Sequence, residues 1–200
     1  MTECPIEPVS IDVREVLRGV GDDLMQQSVT LHSYLVTRPT GRAVRMAIET
    51  QLPGAGQLSL SVIDFSEVML IDFSCADEVV AKLLQQYLAD EPPDAFFIFR
   101  GVHEAQWNQI LTVLDRQSLA AVVERDAGVF ELVGVSSEDE DRVWGQLEER
   151  GVLDTEEIET LFGAHADRQA LSSLFSRGLA FRNPGSGSVH ALSRLVRHLL

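Results

Sequence analysis

Residues 58–90 constrain the fold more than any other part of the 200-residue sequence. Apolar side chains alternate with serines over 58–62, which predicts a β-strand with one buried face that ends at Asp64. After a loop and a short apolar pair, apolar residues recur every three or four positions over 76–88, as on the buried face of an amphipathic helix. The stretch therefore predicts a strand with one buried face, followed by a helix with one buried face.

Ser74 stands where this helix is expected to begin. Serine is a preferred N-cap residue, and Asp77 three positions later completes a near capping box. The hydroxyl would lie at a helix N-terminus, beside backbone amides and the positive end of the helix dipole. Two interpretations stay open, because the hydroxyl either caps the helix or accepts a phosphate that the same amides would stabilise.

The stretch resembles the STAS and STAS-like domains, the fold of anti-anti-sigma factors, over about residues 30–133. The resemblance rests on DFSEV at 64–68 and DFSCADE at 72–78. In regulatory members of that family a kinase phosphorylates a serine at the helix start, and Ser74 occupies the matching position. The helix opening is similar to the STAS-like pattern Ser-x-Ala-Asp-Glu, whereas anti-anti-sigma factors have Ser-Gly-Leu. The resemblance implies binding of a partner, not catalysis.

Flanking segments predict an α/β layer arrangement. The resemblance implies a STAS-like mixed sheet with helices over residues 9–135. Residues 9–17 are compatible with a strand or with a short helix from Asp12, which Gly19 and Gly21 would end. The other predicted elements are a strand at 30–36, a turn at 38–41, a helix at 42–52, a doubly buried strand at 95–99, a helix around 107–114, and strands at 119–124 and 129–133.

Residues 137–200 predict a second, small C-terminal domain that resembles a winged helix-turn-helix over 137–192. A capping box of Ser137 and Glu140 begins its first helix. The remaining pattern is a strand at 152–153, a helix capped by Asp154 or Thr155, a helix capped by Asp167, a hairpin with a loose tip at 183–188, and a last helix at 193–200.

The second helix of this pattern and the following hairpin, residues 167–188, offer side chains of the types that contact DNA. Arginine and glutamine read bases, while serine and arginine contact phosphates. Winged helices also bind proteins, so DNA and protein both stay open as partners. The candidate DNA-binding residues are Arg168, Gln169, Ser172, Ser173, Arg177 and Arg182.

Charge favours a protein partner for the larger domain. The net charge of −15 lies entirely within residues 1–150, because residues 151–200 contain five arginines and five acidic residues. Such an acidic surface repels nucleic acid and tolerates basic proteins.

No pattern in the sequence predicts catalytic, cofactor-binding or metal-binding residues. Asp64 and Asp72 could form a carboxylate pair, but acidic residues at strand ends are more often solvated or capping groups. The five histidines lack metal-ligand spacing, and no phosphate-binding glycine motif is present. Cys75 is either a reactive thiol with a lowered pKa or a small packed residue. A small enzyme using the two aspartates is the least favoured function.

The sequence predicts a cytoplasmic bacterial regulator. No apolar run approaches the ~18 residues of a membrane span, no secretory signal is visible at residues 1–10, and two cysteines exclude a disulfide scaffold. The STAS-like part would bind a protein, such as an anti-sigma-type kinase or an ATPase, and the winged helix would give the output. The alternative is a DNA-binding transcriptional regulator whose STAS-like part dimerises or senses. The predicted partner-binding residues beside Ser74 are Asp64, Asp72, Asp77 and Glu78.

Overall fold

Four parallel strands and one antiparallel strand form the central sheet. The computed structural model describes residues 6, 8–24, 34–52, 58–88, 93–126 and 128–197. Strands β1 (Pro8–Asp12), β3 (Ser59–Asp64), β5 (Ala95–Arg100) and β6 (Ala120–Asp126) are parallel, and β7 (Val129–Gly134) pairs antiparallel with β6. The predicted α/β class with a mixed sheet is confirmed. Across the sheet the strands lie in the order β1, β3, β5, β6 and β7.

The helices that connect the parallel strands pack on one face of this sheet. The chain crosses from strand to strand in a single direction, and right-handed crossovers in one direction place all their helices on the same side. Their apolar side chains form one core with Ile63, Phe97 and Phe99 of the sheet. The helices are α1 (Val13–Leu24), α2 (Arg38–Glu49), a continuous helix made of α3 (Phe73–Ala76), a π-helical turn (Asp77–Lys82) and α4 (Leu83–Tyr87), and α5 (Glu104–Arg116).

The C-terminal segment follows the predicted order of elements. Its three-stranded sheet has the order β8 (Val152–Leu153), β10 (Val189–Ala191) and β9 (Ala180–Arg182), and both pairings are antiparallel. The domain boundary near 136 and the winged-helix resemblance remain predictions. The elements are α6 (Glu138–Arg150), β8 (Val152–Leu153), α7 (Thr155–Leu161), α8 (His165–Ser176), β9 (Ala180–Arg182), β10 (Val189–Ala191) and α9 (Leu192–Val196).

The C-terminal segment covers the second face of the central sheet. Leu60 and Ile98 belong to the same buried cluster as Trp144 of α6, and the rings of Phe96 and Phe181 meet edge to face at 5.6 Å. Strand β5 is therefore buried on both faces, as predicted. The prediction of a single buried face for β3 is wrong. Leu60 and Val62 pack on the C-terminal segment, and Ser59 and Ser61 on the opposite side are buried as well.

Several predicted boundaries in the N-terminal half are also wrong. Residues 38–41 are the first turn of α2, not a loop, because Pro39 lies where a helix needs no backbone N–H donor. Gly19 and Gly21 lie inside α1, which begins directly after β1, so residues 9–17 contain both a strand and a helix. Of the strand predicted at 30–36, Tyr34–Leu35 forms β2, and residues 30–33 lie outside the described ranges.

In the C-terminal half, Asp154 caps α7 as predicted, with its carboxylate accepting two backbone N–H groups. Asp167 does not cap α8, which begins at His165 after the N-cap Ala164. The hairpin tip is organised, not loose, because the Asn183 side chain accepts hydrogen bonds from the backbone of Gly185 and Ser186. Residues 198–200 of the predicted last helix lie outside the described ranges. None of the helices described is long and apolar enough to cross a membrane.

Candidate functional site

Asp72, not Ser74, caps the helix that contains Ser74. Its Oδ1 accepts hydrogen bonds from the backbone N–H of Cys75 at 2.7 Å and from the hydroxyl of Ser74 at 2.8 Å. Its Oδ2 accepts the backbone N–H of Thr37 at 3.0 Å. The predicted N-cap role of Ser74, and its capping box with Asp77, are therefore wrong. Burial alone would raise the pKa of Asp72, but these hydrogen bonds outweigh it and hold the pKa below its ordinary value.

The hydroxyl of Ser74 remains half-buried at the start of this helix. It is already committed as a donor to Asp72. A phosphate on Ser74 would abolish that hydrogen bond and place negative charge beside the Asp72 carboxylate. Modification would thus act directly on the group that joins the helix to Thr37.

An exposed apolar surface, the ribbon patch of Tyr34, Met69 and Leu70, precedes this helix start. Strand β2 pairs in parallel with β4 (Leu70–Ile71), and Tyr34 is the partner of Leu70. Both side chains face solvent, with 38% and 41% of their surface exposed, and Met69 is 65% exposed. The two strands end at the hydrogen bond from Thr37 to Asp72, so the ribbon patch lies next to the Ser74 helix start.

Asp77 and Glu78 are buried beneath basic side chains. Arg38 donates to both carboxylates, at 2.7 Å and 3.0 Å, and Lys82 forms an ion pair with Glu78. Burial would raise the pKa of Glu78, but the hydrogen bonds from Lys82 and Arg38 hold it below its ordinary value. Their burial leaves these two acids little surface for the direct partner contact predicted for them. Arg38 and Lys82 are the partly exposed members of the cluster.

Cys75 is a packed residue, not a reactive thiol. Its Sγ donates to the carbonyl of Thr37 at 2.9 Å, and the side chain is fully buried against Gly41. Burial, followed by the negative charge of Asp72, raises the pKa of the thiol to about 12. Of the two interpretations that the sequence left open, the structure supports the second.

Asp64 belongs to a separate network at the carboxyl edge of the parallel strands. Its Oδ1 accepts both the backbone N–H and the hydroxyl of Ser66, and its Oδ2 accepts Nε of Arg100 at 3.1 Å. Arg100 also donates to Ser10 and lies 3.8 Å from Glu124. Within the described residues no hydrogen bond joins Asp64 to the Asp72 network.

The two aspartates therefore do not form the shared carboxylate pair that catalysis would need. Across the described ranges no group of three or more histidine, cysteine or acidic side chains is placed to hold a metal ion.

Glu140 binds two of the predicted DNA-contacting residues. Its Oε1 accepts the hydroxyl of Ser173 at 2.6 Å and a guanidinium N–H of Arg177 at 2.8 Å, while Oε2 accepts the backbone N–H of Ser137 at 2.8 Å. Burial would raise the pKa of Glu140, but these hydrogen bonds lower it to about 2. The capping box of Ser137 and Glu140 is confirmed. Ser173 and Arg177 join α8 to α6, which makes them poor candidates for reading DNA.

The other four candidates for DNA contact lie on the surface of the C-terminal segment. Gln169, Ser172 and Arg182 are exposed, and Arg168 is held 2.6 Å from Glu159 of α7. An arginine paired with a carboxylate contributes less positive potential to a phosphate backbone. This face is thus less basic than its arginine content suggests.

Sequence reasoning missed Tyr34 and Met69. Neither stands in a motif, and their exposure depends on the pairing of β2 with β4 across more than thirty residues. The signal available in the sequence was the apolar run at 68–71 directly after the acidic residue Glu67. Comparison with known protein families, with curated proteins and with solved structures found no match to this chain.

Proposed function

We propose that the protein is a non-catalytic bacterial regulator that binds a basic segment of a protein partner through the ribbon patch and the adjoining Ser74 helix start. The C-terminal segment gives the output. The observation that carries this proposal is the apolar exposure of Tyr34, Met69 and Leu70 directly beside the capping carboxylate of Asp72.

Charge supports the choice of partner. Apolar side chains supply the buried centre of an interface, and charged groups at its rim select the partner and speed association. Glu67, which forms an ion pair with Arg14, and Asp72 flank the ribbon patch in sequence, and the chain as a whole carries −15. A partner with lysines or arginines around an apolar centre complements this surface, whereas the negative charge of the chain repels the phosphates of a nucleic acid.

Ser74 would act as the switch in this proposal, as the STAS-like resemblance implies. The ordering of the helix start depends on a carboxylate that accepts three hydrogen bonds, one of them from Ser74. Phosphorylation by an anti-sigma-type kinase would replace that donor by a dianion and repel Asp72. Binding would then weaken because repulsion between the phosphate and Asp72 disorders the helix start, an effect that outweighs the attraction of the phosphate for a basic partner.

A DNA-binding transcriptional regulator is the second candidate. The observation that favours it is the arrangement of α7, α8 and the three-stranded sheet in the order expected of a winged helix. A gel-shift experiment with genomic fragments at two salt concentrations tests it, because phosphate contacts make DNA binding strongly dependent on salt. Absence of any shift at low salt removes this candidate.

The proposed function is tested by affinity capture from the source cells with two matched variants. Met69→Glu places a charge in the ribbon patch, and Met46→Glu makes the same change on α2, at a methionine that is 52% exposed. Both sites are at the surface, so the free energy of unfolding of each variant should lie within about 0.5 kcal/mol of the wild-type value. A protein captured by the wild type and by Met46→Glu, but lost with Met69→Glu, is the expected result.

Ser74 is tested in the same experiment. Ser74→Asp should reduce capture of that protein, and Ser74→Ala should retain it. Equal capture by Met69→Glu and Met46→Glu would contradict the proposed surface. Equal capture by Ser74→Asp and Ser74→Ala, with no phosphate on Ser74 by mass spectrometry, would remove the switch.

A further inference from the structure

A groove with an apolar floor runs along the C-terminal segment between α7, α8 and β10. Its floor is formed by Ile158, Phe162, Leu171 and Val189, and its volume is about 250 Å³. Arg168, Ser172 and Arg182 stand at its walls. Three of the residues predicted to contact DNA therefore line a cavity instead of projecting from a convex surface.

A narrower apolar cleft adjoins this groove. It has a volume of about 120 Å³ and lies between the hairpin and the amino end of the central sheet, with Phe96, Phe181 and Pro184 among its walls. Phe175 and Arg182 line both cavities, so the two lie side by side at these side chains. Their combined volume is of the size that small ligands occupy, and their linings form an apolar path beside the guanidinium of Arg182.

The charges along this path leave one uncompensated cation. Arg168 is paired with Glu159 at 2.6 Å, and these two residues contribute no net charge. Arg182 is exposed and forms no ion pair within the described part of the chain. The path therefore carries a net charge of about +1 on a protein whose total is −15, which selects an anionic ligand over a neutral or cationic one.

We propose that the groove and the adjoining cleft together bind a small amphiphile, a carboxylic acid with an unbranched apolar chain. The carboxylate lies against Arg182, where the guanidinium can form two parallel hydrogen bonds with it. The chain lies along Phe175 and the apolar floor. Occupancy would fill the space in front of α8 and make the output of the C-terminal segment responsive to the ligand. Ligand binding at this site is independent of the ribbon patch and of the protein partner, whereas its effect on the output rests on the proposed function.

Calorimetric titration of the full chain with decanoate, below its micelle concentration, tests this site. The expected result is saturable binding at one site, with no comparable binding of decylamine. Arg182→Gln should weaken decanoate binding about tenfold, the loss expected when a charge-assisted hydrogen bond is removed. Arg42→Gln, at another exposed arginine that forms no ion pair in the described residues, is the matched control and should bind as the wild type does.

A second variant tests the cavity itself. Ser172→Phe keeps an exposed position on α8 but places a ring in the groove, and it should block binding while the thermal unfolding midpoint stays near that of the wild type. Equal affinity for decanoate and decylamine, equal affinity of Arg182→Gln and Arg42→Gln, binding at several weak sites, or no binding by the wild type would each overturn the proposal.

Discussion

The contact between Glu140 and Arg177 yields a stability prediction whose magnitude follows from the structure. Glu140 is only 7% exposed and its pKa falls from an ordinary 4.5 to about 2. Since one pKa unit is worth about 1.4 kcal/mol, the folded state gains about 3 kcal/mol from the ionised form. Glu140→Gln keeps the size of the side chain but removes the charge and leaves Arg177 without its anion. We expect Glu140→Gln to lose about 3 kcal/mol of unfolding free energy at pH 7.

The pH dependence of this loss has a definite sign. The folded-state pKa lies below the unfolded one, so the stabilisation is complete above about pH 4.5 and disappears as the pH falls toward 2. The difference between the wild type and Glu140→Gln should therefore shrink over that range. Urea unfolding at pH 7, 4 and 3 measures it.

The control for Glu140→Gln is Asp139→Asn, which removes a carboxylate that is half exposed and pairs with Arg142. Exposed ion pairs contribute about 0–1 kcal/mol, so this variant should lose no more than that. A cost of Glu140→Gln below 1 kcal/mol at pH 7, or a cost that stays constant down to pH 3, would refute the reasoning. It would also return Arg177 and Ser173 to the set of free surface residues.

Three further predictions concern the Ser74 helix start. Cys75 should resist iodoacetamide at pH 8 in the folded protein and react once urea unfolds it, because burial raises its pKa to about 12; peptide mass spectrometry locates the adduct. Gly41→Ala should lower the free energy of unfolding in urea by about 1–3 kcal/mol, since the new Cβ would lie 2.8 Å from the Cys75 backbone. Its control is Gly145→Ala in α6, where the space is open, which should raise the free energy of unfolding by about 0.5–1 kcal/mol. Asp72→Ala should cost about 1–2 kcal/mol through loss of the cap, and an unchanged unfolding midpoint would contradict that role.

The sequence predicted elements well where the signal is local. Alternation located β3, a continuous apolar run located β5, and three-four periodicity located the helix that contains Ser74. The capping box of Ser137 and Glu140 was recognisable because both its residues lie within one turn. Serine and aspartate are nearly equal as N-caps, however, so a local rule could not choose between Ser74 and Asp72. Asp72 is the cap because the backbone N–H of Thr37, 35 residues earlier in the chain, donates a further hydrogen bond to its carboxylate.

Long-range packing explains the other differences. Alternation gave β3 one buried face, because the polar Ser59 and Ser61 cannot reveal that helices from distant parts of the chain cover their side of the strand. The same limit applies to the candidate DNA-binding face. The sequence predicts that Arg177 is an exposed arginine, because it cannot show that Glu140, 37 residues earlier, binds its guanidinium.

Hydrogen exchange on the complex between the wild-type protein and its captured partner tests the central claim most directly. Because the ribbon patch and the Ser74 helix start are proposed as the binding surface, amides of residues 69–76 should become protected in the complex. Amides of α8, residues 165–176, should exchange as they do in the free protein. Protection confined to α8, with residues 69–76 unchanged, would contradict the proposal and place the partner on the C-terminal segment.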